Sequence, residues 1–271
     1  MNGVPFPLFR GKQTLPAVPD PAEHAQCVQS RNPQATLAGV DGVVLIYQRS
    51  LLNFARRHLR VGPAEGWIRG DLLLLERQGR SYALCGGFGV GAPAAGLILE
   101  QLIALGARKV ITVGTAASLQ PDMHSGDIVL CNRALRDEGL SHHYLPPSRY
   151  ATPSPGLTER LAAALHDRRI CSRSGATWSI DAPYRETDDE ISRYAAEGIL
   201  TADMEAAGVF AVASHRAVEA AALFTVADSL IDRQPRTNSP ATQASLRTAL
   251  SIALTALGEG AQPTAGTRAR Q

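Results

Sequence analysis

The chain contains 271 residues, of which 45% are hydrophobic and 19% are charged, and this is sufficient to bury one large core in a single domain. The formal net charge is only +2, and the arginines are scattered among acidic residues, so no basic stripe suggests nucleic-acid binding. No run approaches the roughly 18 apolar residues of a membrane span, the N-terminus lacks a signal-peptide pattern, and the four cysteines are widely spaced, so we expect a cytoplasmic protein with no membrane partner.

The two ends of the chain differ in composition from its middle. Residues 1–42 are rich in proline and weakly periodic, which predicts an irregular N-terminal arm with room for one short helix. Arms of this kind often wrap a neighbouring subunit, and this favours a homo-oligomer. Residues 258–271 are rich in Gly, Thr and Arg and contain few apolar side chains. We therefore expect a disordered tail after residue 257.

The middle of the chain, residues 43–257, alternates between two kinds of apolar pattern. Short apolar runs, several of them rich in β-branched residues, predict strands at 43–47, 72–76, 82–85, 110–113, 128–131 and 220–226. Longer amphipathic patterns predict helices at 51–59, 92–105, 156–166, 188–197, 204–216 and 239–257. Strands that alternate with helices predict one α/β domain with a largely parallel sheet.

Ligands of open α/β sheets bind beyond the carboxyl ends of the strands, and two glycine-containing segments follow predicted strands there. In residues 86–93 (Gly-Gly-Phe-Gly-Val-Gly-Ala-Pro), glycines let backbone N–H groups approach an anion, or they simply form a tight turn. The acidic residue that a dinucleotide site needs about 20 positions later is missing. Residues 112–118 (Thr-Val-Gly-Thr-Ala-Ala-Ser) offer a hydroxyl and N–H groups to a phosphate, or form a plain strand exit.

Two acidic segments lie at comparable positions in the second half of the chain. In residues 201–207, Asp203 and Glu205 are able to accept hydrogen bonds from a ribose diol, and Met204 offers an apolar contact. The alternative is that the two acids cap the N-terminus of the following helix. Asp228 ends the most apolar strand of this half, where it is either a helix cap or, if desolvated and protonated, a general acid.

In their order and spacing, the four segments together resemble the nucleoside phosphorylase and nucleosidase family, over roughly residues 43–257. The glycine turn at 87–93 is similar to the family's Gly-x-Gly-Met-Gly, and 113–117 to its Val-Gly-Ser/Thr-x-Gly loop. Residues 203–206 resemble its Glu-Met-Glu-x ribose motif, and 226–229 the Val-Ser-Asp segment of purine-specific members. The resemblance implies a mixed, mostly parallel central sheet flanked by helices. It also implies an active site completed by a neighbouring subunit, in a dimer or in a hexamer built as a trimer of dimers.

The resemblance further implies a chemistry in which an oxocarbenium-like ribosyl group forms while the base leaves. Inorganic phosphate is then the co-substrate, and no metal or other cofactor takes part. Asp228 would donate a proton towards purine N7. By role, the candidate residues are Met204, Glu205 and Asp203 for ribose, Thr115, Arg49 and Gly89 for phosphate, and Ala116, Ala117, Trp178, Tyr184 and Arg185 for the base. For the last three, the alternative is ordinary packing with an exposed salt bridge.

Three departures from the family pattern bear on the reaction. Thr112 stands where phosphorylases of the family usually carry Arg, and residues 47–50 (Tyr-Gln-Arg-Ser) replace a Gly-Asp-Pro-x-x-Arg-like loop. Asp203 is a shorter acid than the usual Glu. Since a phosphate dianion needs cationic or multiple N–H partners, a hydrolytic nucleosidase is the first alternative to a purine nucleoside phosphorylase. A uridine phosphorylase and a catalytically idle nucleoside-binding protein are the others, and Asp228 favours the purine.

Overall fold

The computed structural model describes residues 6–233 and 239–259. Its helices are α1 (Pro21–Arg31), α2 (Arg49–His58), α3 (Ala92–Ala104), α4 (Ser141–Tyr144), α5 (Pro155–Asp167), α6 (Asp188–Ala196), α7 (Ala206–His215) and α8 (Pro240–Gly258). Its strands are β1 (Gly42–Ile46), β2 (Val61–Pro63), β3 (Asp71–Arg77), β4 (Arg80–Gly86), β5 (Lys109–Ser118), β6 (Ile128–Asp137), β7 (Tyr150–Ala151), β8 (Ser172–Ile180), β9 (Thr201–Asp203) and β10 (Glu219–Ser229). Short 3₁₀ turns cover Lys12–Thr14 and Pro183–Arg185.

All the strands belong to one mixed sheet. Parallel pairing joins β1 to β4 and β5, β5 to β10, β6 to β8, and β8 to β9. Antiparallel pairing joins β10 to β6, β2 to β3, β3 to β4, β5 to β9, and β6 to β7. β5 pairs with three strands, β1, β9 and β10. Its pairings with β9 and β10 close a ring of strands in the order β5, β10, β6, β8 and β9. On the other side of β5, the sheet continues through β1, β4, β3 and β2. The longest pairings, β5–β10 and β6–β8, are parallel, and the α/β fold with a mixed sheet is confirmed.

The core lies on both faces of the sheet, and β1 shows why. Its side chains alternate, as those of any strand do: Val43 and Leu45 pack into one apolar cluster, and Val44 and Ile46 into the other. The first cluster is completed by α3 and α7, and the second by α2, α5 and α8. A strand covered on both faces reads as a continuous apolar run, which is why β1 was predictable from the sequence.

The N-terminal arm contains one helix, α1. Asp20 Oδ1 accepts a hydrogen bond from the backbone N of Ala22 at 2.9 Å, and Pro21 is the first helical residue, so the helix begins with two favourable start signals. Ala25 and Val28 of α1 are buried and pack in the same cluster as α3. The predicted disordered tail, 258–271, lies outside the described residues except for Gly258 and Glu259.

The sequence patterns missed four strands, of which β8 and β9 matter for the site. The first residues of β8 are Ser-Arg-Ser-Gly, which have low strand propensity and no apolar alternation. The helix predicted from residue 204 begins at Ala206, because Thr201–Asp203 form β9 and the chain bends at Met204 and Glu205 before the helix. Within residues 6–233 and 239–259, no helix combines the length and the apolar character that crossing a bilayer requires.

Candidate active site

A cleft of about 370 Å³ opens where β5, β9 and β10 end. Its lining includes Tyr47, Gln48, Val90, Thr115, Ala116, Ala117, Tyr184, Glu186, Asp203, Met204, Glu205, Asp228 and Arg233. The register explains this convergence, because Ala117 of β5 is paired with Asp228 on one side and with Ala202 on the other. A bulge between Val226 and Asp228 shifts the pairing of β10 just before the acid, and bulges of this kind re-aim side chains near sites.

Glu205 occupies a buried position between β9 and α7, at one end of the cleft. Its side chain is only 6% exposed, and Oε1 accepts a hydrogen bond from the backbone N of Gly91 at 2.7 Å. Burial, followed by the nearby Asp203 carboxyl, raises the pKa of Glu205 to about 8. The glycine turn and the acidic segment, more than 100 residues apart in the chain, are thus joined at this end of the cleft.

Asp203 also lines the cleft, but its carboxylate is fully engaged within the protein. Oδ1 accepts from Thr177 Oγ1 at 3.1 Å and from Ser179 Oγ at 2.6 Å. Oδ2 accepts from the backbone N of Glu205 at 2.8 Å and of Ala206 at 2.7 Å. Burial raises the pKa of Asp203, and these hydrogen bonds oppose that shift. The contacts match the capping interpretation, since Asp203 holds the backbone that carries Glu205.

Asp228, which also lines the cleft, forms an ion pair. Arg233 Nη1 donates a hydrogen bond to Asp228 Oδ2 at 3.0 Å, and the two side chains are 61% and 16% exposed, respectively. Glu186 lies beside this pair. Burial raises the pKa of Glu186 to about 7, Arg233 opposes the rise, and Asp228 and Glu190 add to it. The sequence analysis missed Arg233 and Glu186, although Glu186 directly follows the Tyr-Arg dipeptide that it did select.

The segment around Tyr47 forms a third part of the lining, and it contains hydroxyl and amide groups. Thr112 Oγ1 donates to the Tyr47 hydroxyl oxygen at 2.9 Å, and burial raises the pKa of Tyr47 well above its usual value, so the phenol stays neutral. Tyr47 packs directly over Gly114, where a Cβ would lie 3.0 Å from the ring. The position of the family's usual arginine is therefore occupied by a neutral Thr112–Tyr47 pair.

Gln48 is the neighbouring lining residue in this part of the cleft. Its Nε2 donates to Thr115 Oγ1 at 2.9 Å. Its Oε1 is buried and finds no hydrogen-bond partner among the described residues. The predicted phosphate ligand Arg49 is exposed at the start of α2 and outside the cleft lining, because the chain turns into the helix at that residue. Gly89 is exposed in the glycine turn, whose next residue, Val90, lines the cleft.

The structure does not bring two of the predicted base-binding residues to the cleft. Trp178 is fully buried, donates from Nε1 to Asp137 Oδ2 at 2.9 Å and packs edge-on against Tyr194. Side chains alternate along a strand, so in β8 Trp178 faces away from Asp203. Arg185 is exposed and outside the lining, whereas Tyr184 lines the rim with 98% of its side chain exposed. Among the described residues, no group of three potential metal ligands converges.

Comparisons with known proteins identify the family of the chain. A family model described as Phosphorylase superfamily matches residues 61–257. The chain is 32% identical to a guanosine phosphorylase of Halorubrum lacusprofundi over 57% of its own length and 64% of that protein. It is 29% identical to a DeoD-type purine nucleoside phosphorylase of Alkaliphilus metalliredigens over 54% of its length and 63% of that protein. The matches thus span less than two thirds of these relatives.

The fold resembles solved structures over a larger share of the chain. A crystal structure of uridine phosphorylase from Vibrio fischeri superimposes with a TM-score of 0.72 at 25% sequence identity, covering 80% of this chain and 91% of that one. The cleft described above therefore lies in a fold that this chain shares with that uridine phosphorylase.

Proposed function

The chain belongs to the phosphorylase superfamily, and from this premise we propose that it cleaves the N-glycosidic bond of a purine nucleoside by phosphorolysis, releasing the base and ribose 1-phosphate. The observation that carries the proposal is the pair of acids that line one cleft, the buried Glu205 and the arginine-paired Asp228. A ribosyl group with its base requires both a partner for hydroxyl groups and a proton donor. Relatives named guanosine and purine nucleoside phosphorylases support the choice of substrate.

At the ribose end, Glu205 accepts hydrogen bonds from the sugar hydroxyl groups. Because its pKa is about 8 in the protein without a ligand, Glu205 is largely in its protonated carboxylic acid form near neutral pH. Hydroxyl donors of the ribose favour its ionised form, and the negative charge then stabilises the positive ribosyl group that develops as the bond breaks. Met204 supplies an apolar contact to the sugar, and Asp203 acts indirectly by fixing the backbone of Glu205.

At the base end, Asp228 takes up a proton from solvent when the bound nucleoside displaces its contact with Arg233, and it transfers that proton to purine N7 as the electron pair of the C1′–N9 bond moves into the base. Arg233, bonded to Asp228 at 3.0 Å, stabilises the carboxylate that remains after the transfer. A phosphate oxygen then forms the new bond to C1′. Ala116 and Ala117 also line the cleft, and their small side chains leave room for the planar base.

Phosphate would be held by Thr115, Gln48 and backbone N–H groups of the glycine turn at 87–90. Arg233 is the one cation among the described residues of the cleft lining, and it is engaged by Asp228. We therefore include in the proposal a homo-oligomer, a dimer or a hexamer, in which a neighbouring subunit supplies positive charge to this end. The exposed Tyr184 at the rim is a suitable contact for such a neighbour.

The second candidate function is hydrolysis of the same bond. The neutral Thr112–Tyr47 pair favours it, because water needs no cation to hold it. The test is a panel of guanosine, inosine, adenosine and uridine, incubated with and without phosphate. Phosphorolysis predicts cleavage of the purines that requires phosphate and yields ribose 1-phosphate. Free ribose without phosphate would establish hydrolysis, cleavage of uridine alone would contradict the purine assignment, and no cleavage would leave a nucleoside-binding protein.

A further inference from the structure

The N-terminal ends of α3 and α7 meet beside the cleft. Gly91 and Glu205 are the N-cap residues of these two helices, and the hydrogen bond from the Gly91 backbone N to Glu205 Oε1 joins them at 2.7 Å. Both residues are buried. Because protein interiors are close-packed, the position of Glu205 in the cleft depends on how closely the two helices approach each other.

Two glycines allow α3 and α7 to approach closely. A Cβ on Gly208, one turn after Glu205 in α7, would lie only 2.8 Å from the Cβ of Ala92 in α3. Gly96 follows Ala92 by one turn, on the same face of α3, and a Cβ there would overlap the Cδ2 methyl group of Leu140. Non-bonded carbon atoms pack at about 3.5–4.0 Å, so neither glycine position has room for a side chain.

Leu140 packs between the two helices at this level. Its Cδ2 methyl group is the one that a Cβ on Gly96 would overlap, and the same methyl group would lie 3.1 Å from a Cβ on Gly208. The side chain is half-buried and packs against the apolar cluster that α3 and α7 complete. Because a packed interior leaves few voids, the volume of the Leu140 side chain sets how far apart α3 and α7 lie.

The backbone around Leu140 is fixed on both sides. The Gly139 N donates a hydrogen bond to Asp181 Oδ2 at 2.7 Å. The Ser141 N donates to both carboxylate oxygens of Glu138, at 3.1 and 3.0 Å, and Ser141 and Glu138 are buried. Withdrawal of Leu140 from between the helices would therefore strain or break hydrogen bonds of both its neighbours.

The N-terminal arm holds the next part of this segment, α4. Gln13 Nε2 donates to the backbone O of His142 at 2.7 Å, and Lys12 Nζ forms a hydrogen bond with His143 Nδ1 at 2.9 Å. The arm precedes residue 61, where the match to the family model begins. The segment that carries Leu140 is thus anchored by a part of the chain that lies outside that match.

We propose that Leu140 is a positioning residue for the reaction: it sets the spacing of α3 and α7 and, through that spacing, the place of Glu205 in the cleft. This rests on the proposed function, in which Glu205 binds the ribose hydroxyl groups. Leu140 lies outside the cleft lining, so it acts only through the two helices. A displacement of about 1 Å can lower the rate of an enzyme roughly 100-fold, and we expect an effect approaching this size when the spacing changes.

The test exchanges volume between the two contacting positions. Leu140→Ala removes the spacer and Gly96→Ala adds a methyl group that overlaps it, so each should lower kcat/KM for guanosine by roughly 10- to 100-fold. The double substitution Leu140→Ala with Gly96→Ala places the new methyl group in the vacated space and should restore most of the loss. Leu140→Met keeps the volume and should stay close to the unchanged chain.

Leu145→Ala is the matched control. Leu145 is also half-buried and packs against the same apolar cluster, but it lies at the other end of α4. Its truncation removes the same number of atoms without touching the spacing at Gly96. We expect Leu145→Ala to lower stability and to leave kcat/KM nearly unchanged at a temperature at which all variants are folded.

A second readout does not depend on activity. Amide hydrogen exchange reports local opening, and the Gly91 N–H is the donor of the hydrogen bond to Glu205. In Leu140→Ala, the Gly91 amide should exchange roughly tenfold faster, the usual worth of one hydrogen bond, whereas the amide of Leu99, in the middle of α3, should change much less. A general loss of stability would accelerate both amides alike.

The outcomes separate this inference from the proposed function. If the chain cleaves guanosine, the inference is overturned by unchanged kcat/KM or unchanged Gly91 exchange in Leu140→Ala, by an equal loss in Leu145→Ala, or by a double substitution whose loss equals the product of the single losses. Each of these results would leave the proposed function standing. If the chain cleaves no nucleoside, the proposed function fails and the exchange of the Gly91 amide decides alone. Faster exchange in Leu140→Ala that the double substitution reverses would support the spacing by Leu140, and unchanged exchange would overturn it.

Discussion

The two halves of the cleft are built in different ways. The half around Glu205 and Asp203 is buried, rich in short hydrogen bonds, and tied to the glycine turn through Gly91. The half around Tyr47 and Gln48 is neutral, and a buried amide oxygen there has no partner among the described residues. A buried polar atom without a partner costs free energy, and such atoms mark places where a ligand, a water or another subunit belongs. In the function proposed above, one chain completes the ribose and base sites, and the phosphate site depends on groups from outside this chain.

The largest effect should follow from removing the proton of Asp228. Asp228→Asn keeps the shape of the side chain but has no acidic proton, so kcat for purine nucleosides should fall by roughly 10² to 10⁴. A nucleoside with an activated leaving group, whose base departs without protonation, should lose far less. Steady-state kinetics on both substrates in the same variant make the comparison. Equal losses on the two substrates would mean that Asp228 is structural.

Glu205→Gln should have the next largest effect. It removes the charge that stabilises the ribosyl cation, and kcat/KM should fall roughly 100-fold, in line with the loss of one or two hydrogen bonds to a charged group. The same variant should make the empty protein more stable. In the folded state Glu205 keeps its proton up to a pKa of about 8, whereas in the unfolded chain it ionises near its ordinary pKa of about 4.5. As pH rises between these two values, ionisation stabilises the unfolded state, and the free energy of unfolding falls.

The stability gain of Glu205→Gln should therefore be absent near pH 4 and reach about 4 kcal/mol at pH 8. Urea unfolding of both proteins across this range measures it. A gain that is largest in acid would contradict the raised pKa.

A smaller effect, on stability rather than on chemistry, is expected at Asp203. Asp203→Asn places an NH₂ group against donors that now bind a carboxylate oxygen, so it should lower the free energy of unfolding by about 1–3 kcal/mol. Denaturant melts at neutral pH provide the measurement. The KM for the nucleoside should rise only to the extent that the substitution displaces the backbone of Glu205, because Asp203 itself does not contact the ribose in this account. A stable variant with greatly weakened ribose binding would instead assign Asp203 a direct contact.

The smallest effect should come from the neutral half of the cleft. Thr112→Val removes one hydrogen bond, to the Tyr47 hydroxyl, and leaves the volume of the side chain unchanged. We expect about 1 kcal/mol lower stability and an unchanged KM for phosphate, as measured by denaturant unfolding and by phosphate titration. A large rise in the phosphate KM would show that Thr112 itself contacts the anion. Both halves of the cleft would then bind their ligand through groups of this chain.

Several predicted site residues that line the cleft stand directly after the apolar runs from which the strands were predicted. Thr115, Ala116, Ala117 and Asp228 follow apolar runs that are buried on both faces, and the parallel pairing of β5 with β10 brings them together. These positions follow from local pattern and from the general rule for α/β sheets. The position of Glu205 followed from the resemblance of its motif.

The misplaced and missed residues lie where local pattern does not set direction. The orientation of Trp178 depends on the register of β8, a strand with a polar first half, and a shift of one residue would turn the ring to the other face. Glu186 and Arg233 lie beyond strand ends, in a turn and in an irregular segment. Long-range packing decides where such side chains point, and the sequence of the segment itself carries little information about it.

The central claim is that this cleft transfers a ribosyl group from a purine to phosphate, and the most direct measurement follows both products in one reaction. Guanosine is incubated with the full chain at increasing phosphate concentration, and guanine, ribose 1-phosphate and free ribose are quantified. The account predicts equal amounts of guanine and ribose 1-phosphate, with a rate that rises from near zero as phosphate is added. Guanine released together with free ribose, at a rate independent of phosphate, would contradict it.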